Sequence, residues 1–169
     1  MTDIAPSFDE ALRTVHLEAL HLDRRRWQDW LALYTEDCVY WVPAWRNETA
    51  LVEDPQAEIS FIYAGSRRVL EERVNRLTGG KSLTTLPAPR TVHCVTGGLE
   101  LPASAPGRRC IATAWTNHVY DPRLRTHKVL FGHYEHELVS TPSGGPCIAS
   151  KKVILANDHV ESVLDIYSV

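Results

Sequence analysis

The run THKVLFGHYEHELVS (residues 126–140) combines β-branched and aromatic residues with a dense group of histidines and glutamates. Its composition predicts a long β-strand, in which successive side chains point to opposite faces. His133 then shares a face with Glu135 and Glu137, whereas His136 lies on the opposite face. The two histidines cannot bind one metal ion without a break in the strand, and their spacing forms no HExxH motif. The pattern therefore favours a strand over a metal site.

Three runs of the same character lie close to this strand in the chain. They are RTVHCVTGGLEL (residues 90–101), RRCIATAWTNHVY (residues 108–120) and PCIASKKVILA (residues 146–156). Proline, glycine and aspartate separate them, as expected of strands joined by turns. The tail VESVLDIYSV (residues 160–169) is predicted to add a short final strand.

The front of the chain has helical periodicity instead. Apolar residues spaced by three or four form one stripe, made of Phe8, Leu12, Val15, Ala19 and Leu22. A second such pattern runs from Trp27 to Tyr34 after a short charged break.

A strand and a third helix complete the front half. CVYWVPAW (residues 38–45) predicts a strand, with Pro43 indicating an edge or a bulge, and residues 46–56 are predicted to form a loop. A third helix is predicted from Ser66 as N-cap to Gly79, with Glu72 paired to Arg76 on its outer face.

Helices followed by long strands indicate an α+β fold. Four or more long antiparallel strands with three short helices predict a strongly curved sheet wrapped over the helices into a cone. The length of 169 residues predicts a single domain over residues 1–169.

Composition excludes several functional classes. The chain is 44% hydrophobic and 23% charged with a formal net charge of -3, so nucleic acid is not an expected partner. It has no apolar run long enough to span a membrane, and its N-terminus lacks the features of a signal peptide, so we expect a cytoplasmic protein. The four cysteines show no CxxC, CxH or CxxH spacing, which argues against a zinc ribbon or a Rieske cluster motif.

A cone can enclose a pocket, so its polar residues are candidates for chemistry. The candidates are Tyr34, Asp37, His93 and His118. An Asp/His pair could transfer a proton, but Asp37 also suits a helix-to-strand turn, and a strand histidine also suits hydrogen-bonded packing. Both interpretations stay open at this point.

Two tryptophans form a second feature. Trp41 and Trp45 are four residues apart and are predicted to share one face of the strand around Val42. Large aromatic side chains beside an edge proline can belong to the core or can anchor a protein interface.

Several whole phrases of the chain resemble one family, the small (β) subunits of aromatic-ring-hydroxylating dioxygenases. They are WQDWLALYTEDCVYWVPAW, EDPQAEISFIY, LEERVNRL, PRTVH and KKVILANDHVESVLDIYSV, in collinear order from about residue 12 to residue 169. The likeness is greatest to the branch that acts on aromatic carboxylates such as benzoate, toluate and anthranilate.

The resemblance implies a cystatin/NTF2-like α+β cone without a cofactor or an active site of its own. It implies a catalytic large (α) subunit that carries a Rieske [2Fe–2S] cluster and a mononuclear Fe(II). It also implies a trimer of this chain within an α3β3 hetero-hexamer, a reductase that supplies electrons from NADH, and cis-dihydroxylation of an aromatic acid by O2. His133 and His136 then stand where the family has hydroxyl and aromatic residues with no ligand role.

The arginines in the segments that resemble the family are candidate residues for subunit assembly. Arg73 and Arg76 lie three apart on one side of the third helix, and Arg90 follows Pro89 at the start of a strand. A guanidinium fork there could bind a carboxylate or backbone carbonyls in a bidentate manner. We expect Arg73 or Arg90 to form a partly buried pair that holds helix to sheet or small subunit to large. The expected fold-supporting or assembly residues are Trp41, Trp45, Arg73, Arg76, Arg90 and His93.

Two alternatives remain at this stage. An NTF2-like cone can also be a stand-alone dehydratase or isomerase that uses Asp, His and Tyr side chains in its pocket. The chain could also be a binding or assembly domain unrelated to oxygenases. Neither alternative accounts for the collinear phrases.

Overall fold

The computed structural model describes residues 4–79, 87–142, 145–157 and 164–169. Three helices come first, interrupted by two strands, and four long strands follow. The helices are α1 (Phe8–Asp23), α2 (Trp27–Ala32) and α3 (Arg67–Thr78). The strands are β1 (Tyr34–Pro43), β2 (Ser60–Ala64), β3 (Arg90–Leu101), β4 (Arg108–Asp121), β5 (Thr126–Ser140) and β6 (Pro146–Leu155).

The strands form one curved sheet in the order β2-β1-β6-β5-β4-β3. Neighbouring strands are antiparallel except for β1 and β6, which run parallel. α1 packs across the inner face on β3, β4 and β6, and α3 packs on β1. The predicted α+β cone is thus confirmed.

Helix α1 begins at a capping box. The Ser7 hydroxyl accepts a hydrogen bond from the Glu10 backbone N–H, and the Glu10 carboxylate accepts one from the Ser7 backbone N–H. The buried face of the helix follows the predicted stripe but also contains two polar residues, Thr14 and Glu18. Glu18 is thus a charged residue in the middle of an apolar helix face, and it contacts other side chains in the interior of the cone.

The structure differs from the sequence prediction in four details. Tyr34 begins strand β1 and does not extend the second helix, and β2 was not predicted. Glu72 pairs with Arg68, whose Nε lies 3.2 Å from its carboxylate, instead of with Arg76. Residues 164–169 form a turn, whereas residues 158–163 of the predicted final strand lie outside the described residues.

The alternation predicted for β5 is confirmed. Tyr134, His136 and Leu138 are buried on the inner face, while His133 is exposed on the outer face.

Within the described ranges, no helix is long and apolar enough to cross a membrane.

Candidate functional site

An ion pair lies at the centre of the cone. The Nζ atom of Lys151 on β6 is 3.0 Å from both carboxylate oxygens of Glu18 on α1. The Trp30 indole N–H and the Tyr34 hydroxyl also donate to Oε1 of Glu18, at 2.7 and 2.8 Å. Burial opposes ionisation of Glu18, but the Lys151 charge and the hydrogen bonds hold the pKa of this carboxyl below its usual range. The pair is therefore charged at neutral pH.

Aromatic rings enclose this ion pair. Lys151 Nζ lies 4.3 Å from the centroid of the Tyr134 ring and 5.3 Å from that of Tyr40. The rings of Trp115 and Tyr134 stack in parallel with their centroids 4.9 Å apart. These side chains are fully buried and occupy the interior of the cone. The ion pair is accordingly part of a packed core, where it links α1 to β6.

His136 is the second ionisable group of the interior. Its ring meets the Tyr134 ring edge-on at 5.4 Å, and neither ring nitrogen has a hydrogen-bond partner in the part of the chain that the structure describes. Burial, together with the nearby Lys151 charge, lowers the pKa of His136 to about 3. The imidazole is therefore neutral in the folded protein and resembles a packing residue more than an acid–base group.

The low pKa of His136 predicts a pH dependence of stability. An unfolded histidine titrates near 6.5, so its contribution to stability is complete above that pH and is lost as pH falls towards 3. At pH 5 we expect a loss of about 2 kcal/mol from this group relative to pH 7. Urea denaturation of the wild type and His136→Phe across this range should show a shallower pH dependence for the variant.

The exposed His133 on the same strand provides the control. His133→Ser is measured in parallel, because it removes an exposed histidine of the same strand and leaves the buried one in place. A wild-type pH profile in His136→Phe would show that His136 is not the titrating group.

An Asp/His pair exists in the structure, and its acid is Asp23, which was not among the sequence candidates. Oδ1 of Asp23, the last residue of α1, lies 2.6 Å from Nδ1 of His93 and accepts a hydrogen bond from the Thr91 hydroxyl at 2.9 Å. The His93 backbone N–H donates to the second oxygen, Oδ2, at 2.8 Å. Three donors thus meet one carboxylate, which fixes the start of β3 to the end of α1. The His93 side chain is 0% exposed, whereas 18% of the Asp23 side chain remains exposed.

The other predicted pocket residues lie apart from this pair. Asp37 is exposed on β1, and His118 is exposed and stacked on His127 with ring centroids 5.3 Å apart. Tyr34 binds Glu18, as described above. Of the two interpretations left open from the sequence, His93 therefore takes the hydrogen-bonded one, and its partner comes from the end of α1, 70 residues earlier in the chain, and not from Asp37.

Glu137 of β5 belongs to a residue type that can bind metal ions, but its carboxylate forms hydrogen bonds and an ion pair within the chain. Glu137 accepts hydrogen bonds from the Ser104 backbone N–H at 2.6 Å and from its hydroxyl at 2.7 Å, and it pairs with Arg108 at 3.0 Å. These bonds fasten the β3–β4 turn to the outer face of the sheet. Across residues 4–79, 87–142, 145–157 and 164–169, no group of three or more His, Cys, Asp or Glu residues is arranged to hold a metal ion.

The two candidate tryptophans are half-buried and do not share a strand face, because β1 ends at Pro43. The Trp41 indole N–H donates to the Ser60 hydroxyl at 2.8 Å, and Lys152 Nζ lies 5.3 Å from the ring centroid. The Trp45 indole N–H donates to the Leu155 carbonyl at 2.7 Å. Both side chains fasten neighbouring segments while keeping part of their surface open.

The three candidate arginines fall in two places. Burial raises the pKa of Asp165 in the C-terminal segment. The positive charges of Arg73 and Arg76 on α3 lower this pKa and so partly offset the effect of burial. Arg90 is exposed, with its guanidinium 5.9 Å from the centroid of the Tyr120 ring. Arg73 thus faces the chain's own C-terminus, whereas Arg90 faces outward.

Comparison with known proteins identifies a matching family and several similar proteins. Residues 17–162 match the family described as ring hydroxylating beta subunit. The chain is 38% identical to the toluate 1,2-dioxygenase subunit beta of Pseudomonas putida, over 95% of this chain and 97% of that one. It is 34% identical to the 2-halobenzoate 1,2-dioxygenase small subunit of Burkholderia cepacia, over the full length of both.

A solved structure has the same fold over the whole chain. The beta subunit of the benzoate 1,2-dioxygenase from Burkholderia mallei superimposes with a TM-score of 0.77 at 28% sequence identity, covering 100% of both chains. The similarity therefore includes both the helical front and the long strands.

Proposed function

The chain belongs to the ring hydroxylating beta subunit family, in the benzoate and toluate branch, and from this premise we propose that it is the non-catalytic small subunit of a Rieske non-haem iron dioxygenase. The substrate is a benzoate-like aromatic carboxylate, which the cytoplasmic holoenzyme converts to a cis-diol with O2 and electrons from NADH. The family match over residues 17–162 is the observation that carries the proposal.

The interior of the cone supports a structural role for this chain. Glu18, Lys151, Trp115 and Tyr134 are all buried and contact one another in the interior of the cone. The Rieske cluster and the mononuclear Fe(II) belong to the large subunit of this family. Within the proposal, the small subunit supports the assembly of that large subunit.

The proposed assembly is an α3β3 hexamer in which this chain also contacts its own copies as a trimer. An obligate interface of this kind buries on the order of 2,000 Å² or more. Trp41, Trp45 and Arg90 keep accessible surface after their internal contacts and are available for such interfaces.

Reconstitution tests the proposed function. We expect the chain to co-purify with a large subunit of the benzoate branch, and benzoate to be converted to its cis-diol only when large subunit, reductase and NADH are present. The isolated chain should show no turnover and far less than one iron per chain by metal analysis. Turnover by the isolated chain, nearly stoichiometric iron, or failure to bind the large subunit would each contradict the proposal.

A further inference from the structure

A small cavity lies where the ends of the helices meet the sheet. Its volume is about 180 Å³, and its walls come from the end of α1, the start of α2, the end of α3, the start of β3 and the C-terminal segment. Its apolar wall is formed by Leu22, Trp27, Leu77, Pro89 and the ring of Tyr167. We call this space the helix-end cavity. An apolar cavity of about 150 Å³ takes up benzene, so the helix-end cavity has room for one aromatic ring with a small substituent.

Arg25 supplies one positive charge beside this apolar wall. It is the only charged residue among the described residues that line the cavity. Its guanidinium has no carboxylate within ion-pair distance in the described ranges. Asp23 lies two residues earlier but does not line the cavity, and its carboxylate already accepts hydrogen bonds from Thr91 and His93. The Arg25 charge is therefore available to an anion from outside the chain.

The guanidinium of Arg25 is held in place by the chain itself. Its Nη2 atom donates to the backbone carbonyls of Ala88 and Pro89, at 3.1 and 2.5 Å. The residue also has a φ of 53°, a left-handed backbone conformation that is uncommon for a residue other than glycine. The N–H donors on Nε and Nη1 form no hydrogen bond with the described residues, so this edge of the guanidinium can bind both oxygens of a carboxylate. A side chain that is already fixed loses little freedom on binding.

Tyr167 adds a hydroxyl group to the lining. The Asn117 side-chain amide donates to the backbone carbonyls of Tyr167 and Ser168, at 3.2 and 2.9 Å, and so fixes this part of the C-terminal segment. Burial raises the pKa of the Tyr167 hydroxyl, and the positive charge of Arg25 partly offsets that rise. The hydroxyl is therefore protonated at neutral pH and lies within the electrostatic range of Arg25. It can donate a hydrogen bond to an anion that the guanidinium holds.

We propose that the helix-end cavity is a binding site for a small monocyclic aromatic carboxylate, which places its ring against the apolar wall and its carboxylate on Arg25. The lining argues for each half of this ligand. Trp27, Leu77 and the other wall residues offer apolar surface to a flat ring, and one guanidinium without a counter-charge matches one carboxylate. A free phosphate or acetate has no ring and would leave the apolar wall in contact with water. The inference goes beyond the proposed function, which assigns no ligand to this chain, and does not depend on it.

Titration of the isolated full-length chain with sodium benzoate tests the site. We expect saturable binding with a dissociation constant on the order of 1 mM, which suits a ligand of about nine non-hydrogen atoms. The indole N–H resonance of Trp27 should shift because this ring lines the cavity, whereas that of the buried Trp115 should not. Benzoate at about ten times the dissociation constant should also raise the melting temperature, since the ligand binds only the folded chain.

Two further ligands separate the contribution of the charge from that of the ring. Benzamide keeps the ring and the shape of benzoate but has no charge, and acetate keeps the carboxylate without the ring. We expect each to bind at least about tenfold more weakly than benzoate. Equal affinity for acetate would indicate an adventitious anion contact only, and equal affinity for benzamide would show that Arg25 does not recognise the carboxylate. Either result overturns the proposal.

Three single variants of the full-length chain locate the site. Arg25→Gln removes the charge, and Leu77→Trp fills the cavity from α3 without changing the guanidinium. Arg24→Gln is the matched control, because Arg24 is the exposed neighbour of Arg25 and does not line the cavity. We expect the first two variants to weaken benzoate binding by about tenfold or more and the control to stay within about threefold of the wild type. The melting temperature of each variant without ligand shows whether it is folded.

Two results with benzoate would overturn the inference. One is the absence of saturable binding by the wild type up to about 20 mM benzoate, and the other is wild-type affinity in both Arg25→Gln and Leu77→Trp. Neither result bears on the proposed function, which is tested by turnover of the reconstituted enzyme. Conversely, a chain that supports no turnover can still bind benzoate in the helix-end cavity.

Discussion

Replacing Lys151 with methionine is expected to lower the free energy of unfolding by about 3–5 kcal/mol at pH 7. Methionine retains much of the lysine stem but leaves the Glu18 carboxylate buried without a counter-charge. The Trp30 and Tyr34 hydrogen bonds to Glu18 remain, but they do not replace a cation at 3.0 Å. Urea denaturation of wild type and variant at one fixed protein concentration measures the difference.

The double variant Glu18→Gln/Lys151→Met separates charge from packing. The glutamine oxygen can still accept hydrogen bonds from Trp30 and Tyr34, so removing both charges should recover at least half of the stability lost in the single variant. The deficit of Lys151→Met should also be smaller at pH 5 than at pH 7, because an unpaired buried carboxyl has a raised pKa and is protonated more readily. Equal stability of the single and double variants would show that packing, and not the uncompensated charge, sets the cost.

Adding a methyl group at Gly132 should destabilise the sheet by about 3 kcal/mol or more. Gly132 lies on the inner face of β5 opposite Leu155 of β6, and a Cβ there would run into the carbonyl oxygen of Ile154. It would also lie 3.0 Å from the backbone nitrogen of Ala156. Both obstacles are backbone atoms, so the Gly132→Ala variant can fold only if β5 and β6 separate locally.

Gly145 provides a matched control for this substitution. A Cβ at Gly145 meets nothing within 4 Å, and the residue is exposed. Gly145→Ala should therefore change the free energy of unfolding by less than about 1 kcal/mol. Thermal or urea unfolding of the two variants decides the point, and equal stability would mean that β5 and β6 tolerate the added atom.

The order and type of the main elements follow from local pattern. The 3.6-residue stripe of α1, the capping residue Ser7 and the long β-branched runs after Pro89 each favour one conformation through short-range forces. Their sequence of helices before strands leaves few arrangements other than a curved sheet over helices. The sequence segments that resemble the family also indicate a function, because they occur in the same order as in the family over nearly the whole chain.

The short strand β2 and the start of β1 were not predictable in this way. Ser60–Ala64 has only five residues, and it forms a strand because Trp41 and Val42 provide a pairing edge. Tyr34 leaves the helical pattern because its hydroxyl binds Glu18 inside the cone. In both cases a distant partner outweighs local propensity.

The interior network was decided by tertiary structure alone. Glu18 is the one charged residue on the buried face of α1, a local signal of a buried acid, but nothing near it in sequence indicates its partner. Lys151 follows Glu18 by 133 residues and reaches it only because the parallel β1–β6 pairing places β6 in the middle of the sheet. A buried charge is stable only beside its counter-charge, and the fold is what brings the two together.

The Asp23–His93 pair follows the same logic. The sequence alone determined the fold class, the alternating faces of β5 and the family to which the chain is similar. The tertiary structure decided that His93 meets Asp23 instead of Asp37, and that Arg25 and Tyr167 line one cavity. Local pattern fixes which face of an element a side chain occupies, whereas contacts between residues tens of positions apart depend on how the curved sheet closes around α1.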